Sequence, residues 1–314
     1  MGFPAPSQAG EELLPFLESE VIHLSMLIQM IINGLAMGAI YALIALGFVM
    51  IYNSTGAVNF AQGDFAMIGA YLYFTAVVLL NLPVWVAFIF VIVGAAILGI
   101  IFNRTVFYPV REKHWMIPLI GTIGASIFLP NFAMNIWGPE PLPTPKPFGD
   151  LLLRLGDVRI SPQFVLILVV TILMIVVMHL FFSRTRFGKM MQAAAQDRVM
   201  ARLSGIRVNR TMGATFIYSS ILAGIGGALV APVFYVSQGM GLFVVVKAFC
   251  ATIVGGFGSV PGSIVGGFFV GVIEQVCAGY ISDKYKDVYA FLVMILVLFI
   301  RPQGIFGEKI SEKV

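Results

Sequence analysis

The chain has 314 residues, of which 59% are hydrophobic and only 11% charged, against roughly 25% charged in an average soluble protein. The few charges are segregated. No Asp, Glu, Lys or Arg lies between Glu20 and Asp64, Asp64 and Arg104, Lys113 and Glu140, Arg159 and Arg184, Arg210 and Lys247, or Lys247 and Glu274. Each gap is longer than the roughly 20 apolar residues that cross a bilayer core, and there are too many gaps for one soluble core. Composition therefore excludes a soluble enzyme, a nucleic-acid-binding domain and a disulfide-stapled secreted domain. It predicts an all-α polytopic transmembrane helical bundle, in contact with membrane lipid. The net charge of +4 comes from one loop, so no nucleic-acid partner is expected.

In chain order, residues 1–20 carry Glu11, Glu12, Glu18 and Glu20 and no Lys or Arg. That argues against a cleavable signal and predicts an acidic segment outside the cell. Apolar runs between breakers predict nine membrane segments at about 24–52, 65–80, 84–102, 116–137, 162–182, 211–232, 242–257, 263–281 and 288–300. Asn81, Leu82 and Pro83 divide the second from the third. Trp115 and Trp137 bracket the fourth as interfacial anchors. Loop 183–210 holds seven basic residues and loop 103–114 holds Arg104, Arg111 and Lys113. Placing both in the cytoplasm makes 138–161 external and predicts an outer N-terminus and an inner C-terminus. The predicted organisation is a segment 1–20, a transmembrane domain 21–307 and a cytoplasmic tail 308–314.

Three segments depart from plain spans. Asn53 to Asp64 is polar and glycine-containing between two apolar runs; 242–257 is short and broken from its neighbour by 257–262; 288–300 has 13 residues. Irregular backbone at membrane depth requires protein or a water-filled cavity to satisfy its amides, and such breaks mark translocation pathways. Asn59, Gln62 and Asp64 are the pathway or gating candidates on this reading. On the plainer one they are turn formers in ordinary loops.

The loop 188–207 reads as one or two short helices. Met191, Ala195, Val199 and Leu203 recur every four residues as one apolar stripe, with Arg198 and Arg202 on another face. Asp197 has no basic residue three or four positions away and is placed to cap a helix 198–204, with Gly205 ending it in a left-handed conformation and Ile206 packing back. Such a pinned helix suits transmission of motion from a soluble partner; the plainer reading is a basic helix resting on anionic headgroups.

Gly34/Gly38, Gly258/Gly262/Gly266 and Gly267/Gly271 are spaced for close helix approach, and Gly255, Gly256, Gly258 and Gly262 predict a tight turn. Lys247 and Glu274 are ionisable groups inside apolar runs. A hairpin about residue 260 brings them to one depth, predicting an ion pair that is either structural or part of the pathway lining. Cys250 and Cys277 read as small hydrophobes. No nucleotide phosphate loop, metal-binding pattern or catalytic cluster is present in the sequence, so neither an enzyme nor a cofactor is predicted.

Several stretches resemble the permease subunits of branched-chain amino acid ABC importers. They are Val58-Asn59-Phe60-Ala61-Gln62-Gly63; Gly188 through Ala193, with Gln196, Asp197, Ala201, Gly205 and Ile206; Ala223 through Gly227; Lys247-Ala248-Phe249 through Gly255 to Gly262; and Arg301 through Gly307. The likeness runs from about Ile28 to Gly307, and the Gln196-Asp197 pair and chain length resemble the smaller of two paired permeases. The resemblance implies a permease domain in a bacterial cytoplasmic membrane, a larger permease partner, two cytoplasmic ATPase subunits and an extracytoplasmic substrate-binding protein. It further implies that Gln192, Gln196, Asp197, Arg198, Gly205 and Ile206 contact the ATPase. Related permeases carry urea or short amides. An ion-coupled secondary transporter using Glu274 or Asp64 is the alternative of a different class.

Overall fold

The computed structural model describes residues 6–114, 116–149, 151–155 and 158–307, with side chains from Ser25 onward except at 154, 155 and 158. The expectations for Trp115, for the side chains of segment 1–20 and for tail 308–314 lie outside the described residues. Eleven α-helices are described: α1 (Pro6–Thr55), α2 (Gln62–Phe74), α3 (Val84–Phe102), α4 (Met116–Trp137), α5 (Pro162–Arg184), α6 (Arg186–Gln196), α7 (Arg198–Leu203), α8 (Val208–Val230), α9 (Met240–Gly255), α10 (Val260–Tyr280) and α11 (Lys286–Ile300). Wider π-helical turns extend α2 through Leu79 and α3 through Phe107. A small antiparallel hairpin, β1 (Leu153–Leu155) and β2 (Val158–Ile160), pairs Leu153 with Ile160.

Among the described residues, seven helices are long and apolar enough to span a membrane, rather than nine. The sixteen residues of α9 and the fifteen of α11 fall short, because 1.5 Å per residue gives them only about 22–24 Å against a core of roughly 30 Å. The Asn53–Asp64 break is also smaller than its polarity suggested. Its first three residues finish α1 and its last three open α2, leaving 56–61 between helices.

Local chemistry accounts for the ends. Asn81 takes a left-handed conformation (φ 52°) and Pro83 precedes the first turn of α3. Pro162 opens α5, where its missing N–H costs nothing. Inside α4, Pro130 removes one backbone donor. The adjacent Asn131 side chain donates to the Ile127 carbonyl at 2.7 Å and the Ser126 hydroxyl to Ile123 at 2.8 Å, so side-chain donors reach two carbonyls in the turns before the proline.

Helix α1 is the central post, with 94% of its most apolar window buried, against 17% for α5. Around it stand α8, α9 and α10, with α2 wedged against α8; α3, α4, α5 and α11 expose apolar faces outward. Small residues make this packing possible. A Cβ on Gly34 would lie 2.6 Å from the Val272 Cα, and one on Gly38 2.7 Å from the Gly267 carbonyl oxygen. The two predicted small-residue pairs, Gly34/Gly38 and Gly267/Gly271, are thus one interface between α1 and α10. Gly69 meets Gly224, and Gly227 meets the Ala66 carbonyl, between α2 and α8.

Candidate functional site

Loop 183–210 folds into an elbow of two short helices. The Thr185 hydroxyl accepts from the Gly188 N–H at 2.9 Å and lies 2.7 Å from the Phe181 carbonyl. Gly188 itself sits against the Phe181 carbonyl with no room for a Cβ, so α6 is clamped to the end of α5. The Asp197 carboxylate accepts from the N–H groups of Val199 (2.8 Å) and Met200 (3.0 Å), capping α7. Gly205 has φ 81°, and the Ile206 N–H returns to the Ala201 carbonyl at 2.9 Å, closing the helix with a Schellman-type bond. The helix ends at Leu203, one residue short of the predicted 198–204.

The continuous stripe through Met191, Ala195, Val199 and Leu203 is not formed. Asp197 adopts an extended conformation (φ −150°, ψ 110°) that breaks the period between α6 and α7. Met191, Ala194 and Ala201 face the core, while Val199, Met200 and Leu203 are 66, 61 and 77% exposed. The two arginines of the predicted ridge also part. Arg198 is half-buried, its guanidinium close to Gly56, and burial and then Arg202 hold its pKa below the ordinary value. Arg202 turns to a cleft shared with Arg104. Gln196 and Gln192 are exposed; Gln192 also borders an apolar cleft of about 610 Å³ among α1, α5, α8 and α10.

The three pathway candidates separate. Gln62 is fully buried as a stitch between helices: its Oε1 lies 2.9 Å from the Ser219 hydroxyl, which is also 2.9 Å from the Gly47 carbonyl. Asn59 is buried too, its Oδ1 accepting from the Ala61 N–H at 3.2 Å and its amide nitrogen without a partner. Asp64 differs, because it lines a cleft of about 610 Å³ walled by Phe48, Phe60, Ile127, Leu242, Val245, Phe249 and Phe291. Its carboxylate is packed over Gly241, where a Cβ would stand 2.9 Å from Oδ1.

The structure brings Lys247 and Glu274 together at 2.7 Å and adds two partners that sequence reasoning missed. Asp287, in the first turn of α11, lies 2.9 Å from the same ammonium, and the Tyr41 hydroxyl donates to Glu274 at 3.4 Å. The Phe243 ring centroid lies 4.1 Å from Nζ. Asp287 was legible only as a charge at the edge of a short apolar run; nothing in its spacing pointed to Lys247.

The α9–α10 turn is where the predicted glycine cluster meets two other segments. Gly255 abuts the Gly262 carbonyl, and Gly256 takes φ 112° beside the Gly307 backbone. The Asn53 amide donates to the Gly258 carbonyl at 2.8 Å. Residues 301–307 fold back beneath this turn, with the N–H groups of Ile305 and Phe306 donating to the Val254 and Gly255 carbonyls at 2.9 and 2.8 Å. The elbow and this latch lie at one end of the bundle, since Arg198 reaches Gly56 just beyond α1.

Comparison with known proteins places this architecture. Residues 30–298 match the model of the branched-chain amino acid transport system / permease component family. The chain is 38% identical over 302 residues to the high-affinity branched-chain amino acid transport system permease protein BraD of Pseudomonas aeruginosa, covering 91% of this chain and 98% of that one. It is 35% identical over 301 residues to the LivH permease proteins of Salmonella typhimurium and Escherichia coli, with 91% and 97% covered. A match over most of the length, at that identity, makes this chain a member of the branched-chain amino acid transport permease family.

Proposed function

We propose that the chain is the pore subunit of an ATP-driven importer for branched-chain amino acids. It pairs with a second, larger permease around the substrate path. Two ATPase subunits dock at the elbow, and an extracytoplasmic binding protein delivers substrate to the opposite end. On this reading the elbow faces the bacterial cytoplasm, as the density of arginine and lysine in 183–210 supports.

The observation that carries the reading is the exposed apolar arc of α7. Val199, Met200 and Leu203 stand in water on a six-residue helix secured at both ends, a rigid knob suited to a groove in a soluble partner. Gln196 and Asp197 border that arc, and Gly205 and Ile206 hold its far end. Displacement of the knob travels through the Thr185–Phe181 clamp into α5 and directly into α8. Through Ser219 and the Gly69–Gly224 contact, α8 moves α2, which carries Asp64 into its cleft. Apolar walls with one carboxylate suit passage of an aliphatic amino acid, whose side chain and ammonium they match.

Co-purification with candidate ATPase subunits, together with ATP-dependent uptake, tests the assignment in wild type, Asp197→Lys and Leu203→Glu. Both variants are expected to lose the complex and at least tenfold of the uptake. Unchanged complex and uptake would overturn the coupling role. Uptake by the chain alone, driven by an ion gradient without ATP, would replace it with secondary transport.

A further inference from the structure

The cleft shared by Arg202 and Arg104, of about 930 Å³, opens beside the elbow between the end of α3 and the start of α8. Its walls carry Arg104, Arg202, Arg207 and Arg210, with Asn103, Asn209 and Tyr108. All four arginines are exposed. None of the four has a carboxylate partner among the described residues. Four cations concentrated in one concavity repel each other, and an anion seated among them relieves that repulsion.

Two observations identify the anion's chemistry. The α3 surface leading to the cleft exposes Val93, Ile97, Ile100 and Ile101, four large aliphatic side chains in the last turns before Arg104. The cleft therefore sits where an apolar outer face ends, at the depth of a headgroup beneath acyl chains. The cleft is also angularly separate from the protein-docking arc of α7. At about 100° per residue, Val199, Leu203 and Met200 span roughly 100° of the helix, and Arg202 lies about 60° beyond the Val199 edge.

We propose that this cleft binds the phosphate headgroup of an anionic phospholipid whose acyl chains lie along α3. Arg104 lines the cleft from the α3 side and Arg202, Arg207 and Arg210 from the side of α7 and α8, a set of forked donors suited to phosphate oxygens. The site is independent of which substrate crosses the pore.

The experiment titrates the purified full-length chain with dioleoyl-phosphatidylglycerol, read by native mass spectrometry, with dioleoyl-phosphatidylcholine and glycerol 3-phosphate as comparison probes. Arg104→Gln/Arg207→Gln is expected to weaken phosphatidylglycerol binding about 25-fold, roughly fivefold per arginine. The equally charge-reduced Arg184→Gln/Lys189→Gln, outside the cleft, is expected to stay within about twofold of wild type. Phosphatidylcholine is expected to bind weakly to all three proteins, and unchanged thermal midpoints verify that the exposed substitutions leave the fold intact. Equal losses in both double variants would overturn the site in favour of a general positive charge. Tight binding of glycerol 3-phosphate would reassign it to a soluble anion. Abolition of lipid binding by bound ATPase subunits would assign the arginines to the protein interface instead.

Discussion

Lys247 is held between two carboxylates of unequal burial: the Glu274 side chain is wholly buried, whereas that of Asp287 is 56% exposed. Removing the lysine strands a buried carboxylate, whose second oxygen already lacks a hydrogen bond. Lys247→Met is therefore expected to destabilise the bundle by about 3–5 kcal/mol, whereas Asp287→Asn costs less than about 1 kcal/mol because its partner remains paired and solvent screens it. Thermal unfolding in detergent measures both. The third residue also changes the charge-reversal test. Lys247→Glu/Glu274→Lys sets two carboxylates face to face at Asp287, so full recovery of assembly is expected only when Asp287→Asn is added. Asp64 behaves differently, having a cleft before it rather than a partner. Asp64→Asn is expected to reduce uptake at least tenfold with yield and complex formation unchanged; a matching loss of folded protein would make it a packing residue like Gln62.

Among elements, the glycine contacts rank the helices by how closely their backbones approach. A side chain at Gly38 or Gly271 meets backbone of the opposing helix, with nothing flexible to give way. Gly38→Leu is expected to cost about 3 kcal/mol or more through forced separation of α1 from α10, seen as loss of a monodisperse species in size exclusion. Gly124, exposed on α4, has open space around it, and Gly124→Ala should be neutral or stabilise by up to about 1 kcal/mol. The sequence already separates the two, since Gly38 stands four residues from Gly34 at the spacing of close helix approach, whereas Gly124 has no glycine four residues away. Gly205 was legible for another reason: Asp197 and Gly205 form a start and stop signal whose chemistry is local, so capping could be read without knowing any neighbour. The apolar stripe failed because helical periodicity assumes an uninterrupted helix, and the same Asp197 that caps α7 interrupts it.

For the whole molecule, the segregation of charge gives a consequence that labelling can check. With Cys250 and Cys277 replaced by Ala, a cysteine introduced at Lys189 is expected to react with an impermeant maleimide only from the cytoplasmic face, and one at Glu140 only from outside. The reverse pattern would invert the bundle and remove the elbow from reach of ATPase subunits. Seven of the nine predicted spans and the capped elbow were readable from the chain alone, because burying charge in lipid is costly and helix caps are made by adjacent residues. Which of the closely packing glycines face each other, and the site assignments, were not. Whether Gln62 stitches helices while Asp64 faces a cleft, whether Asp287 completes the Lys247 cluster, and whether Arg104 joins Arg202 at the start of α8 depend on segments as far apart in the chain as Asp64 and Phe291. Hydropathy records how each residue meets lipid or water; only the packed bundle decides which helices meet each other.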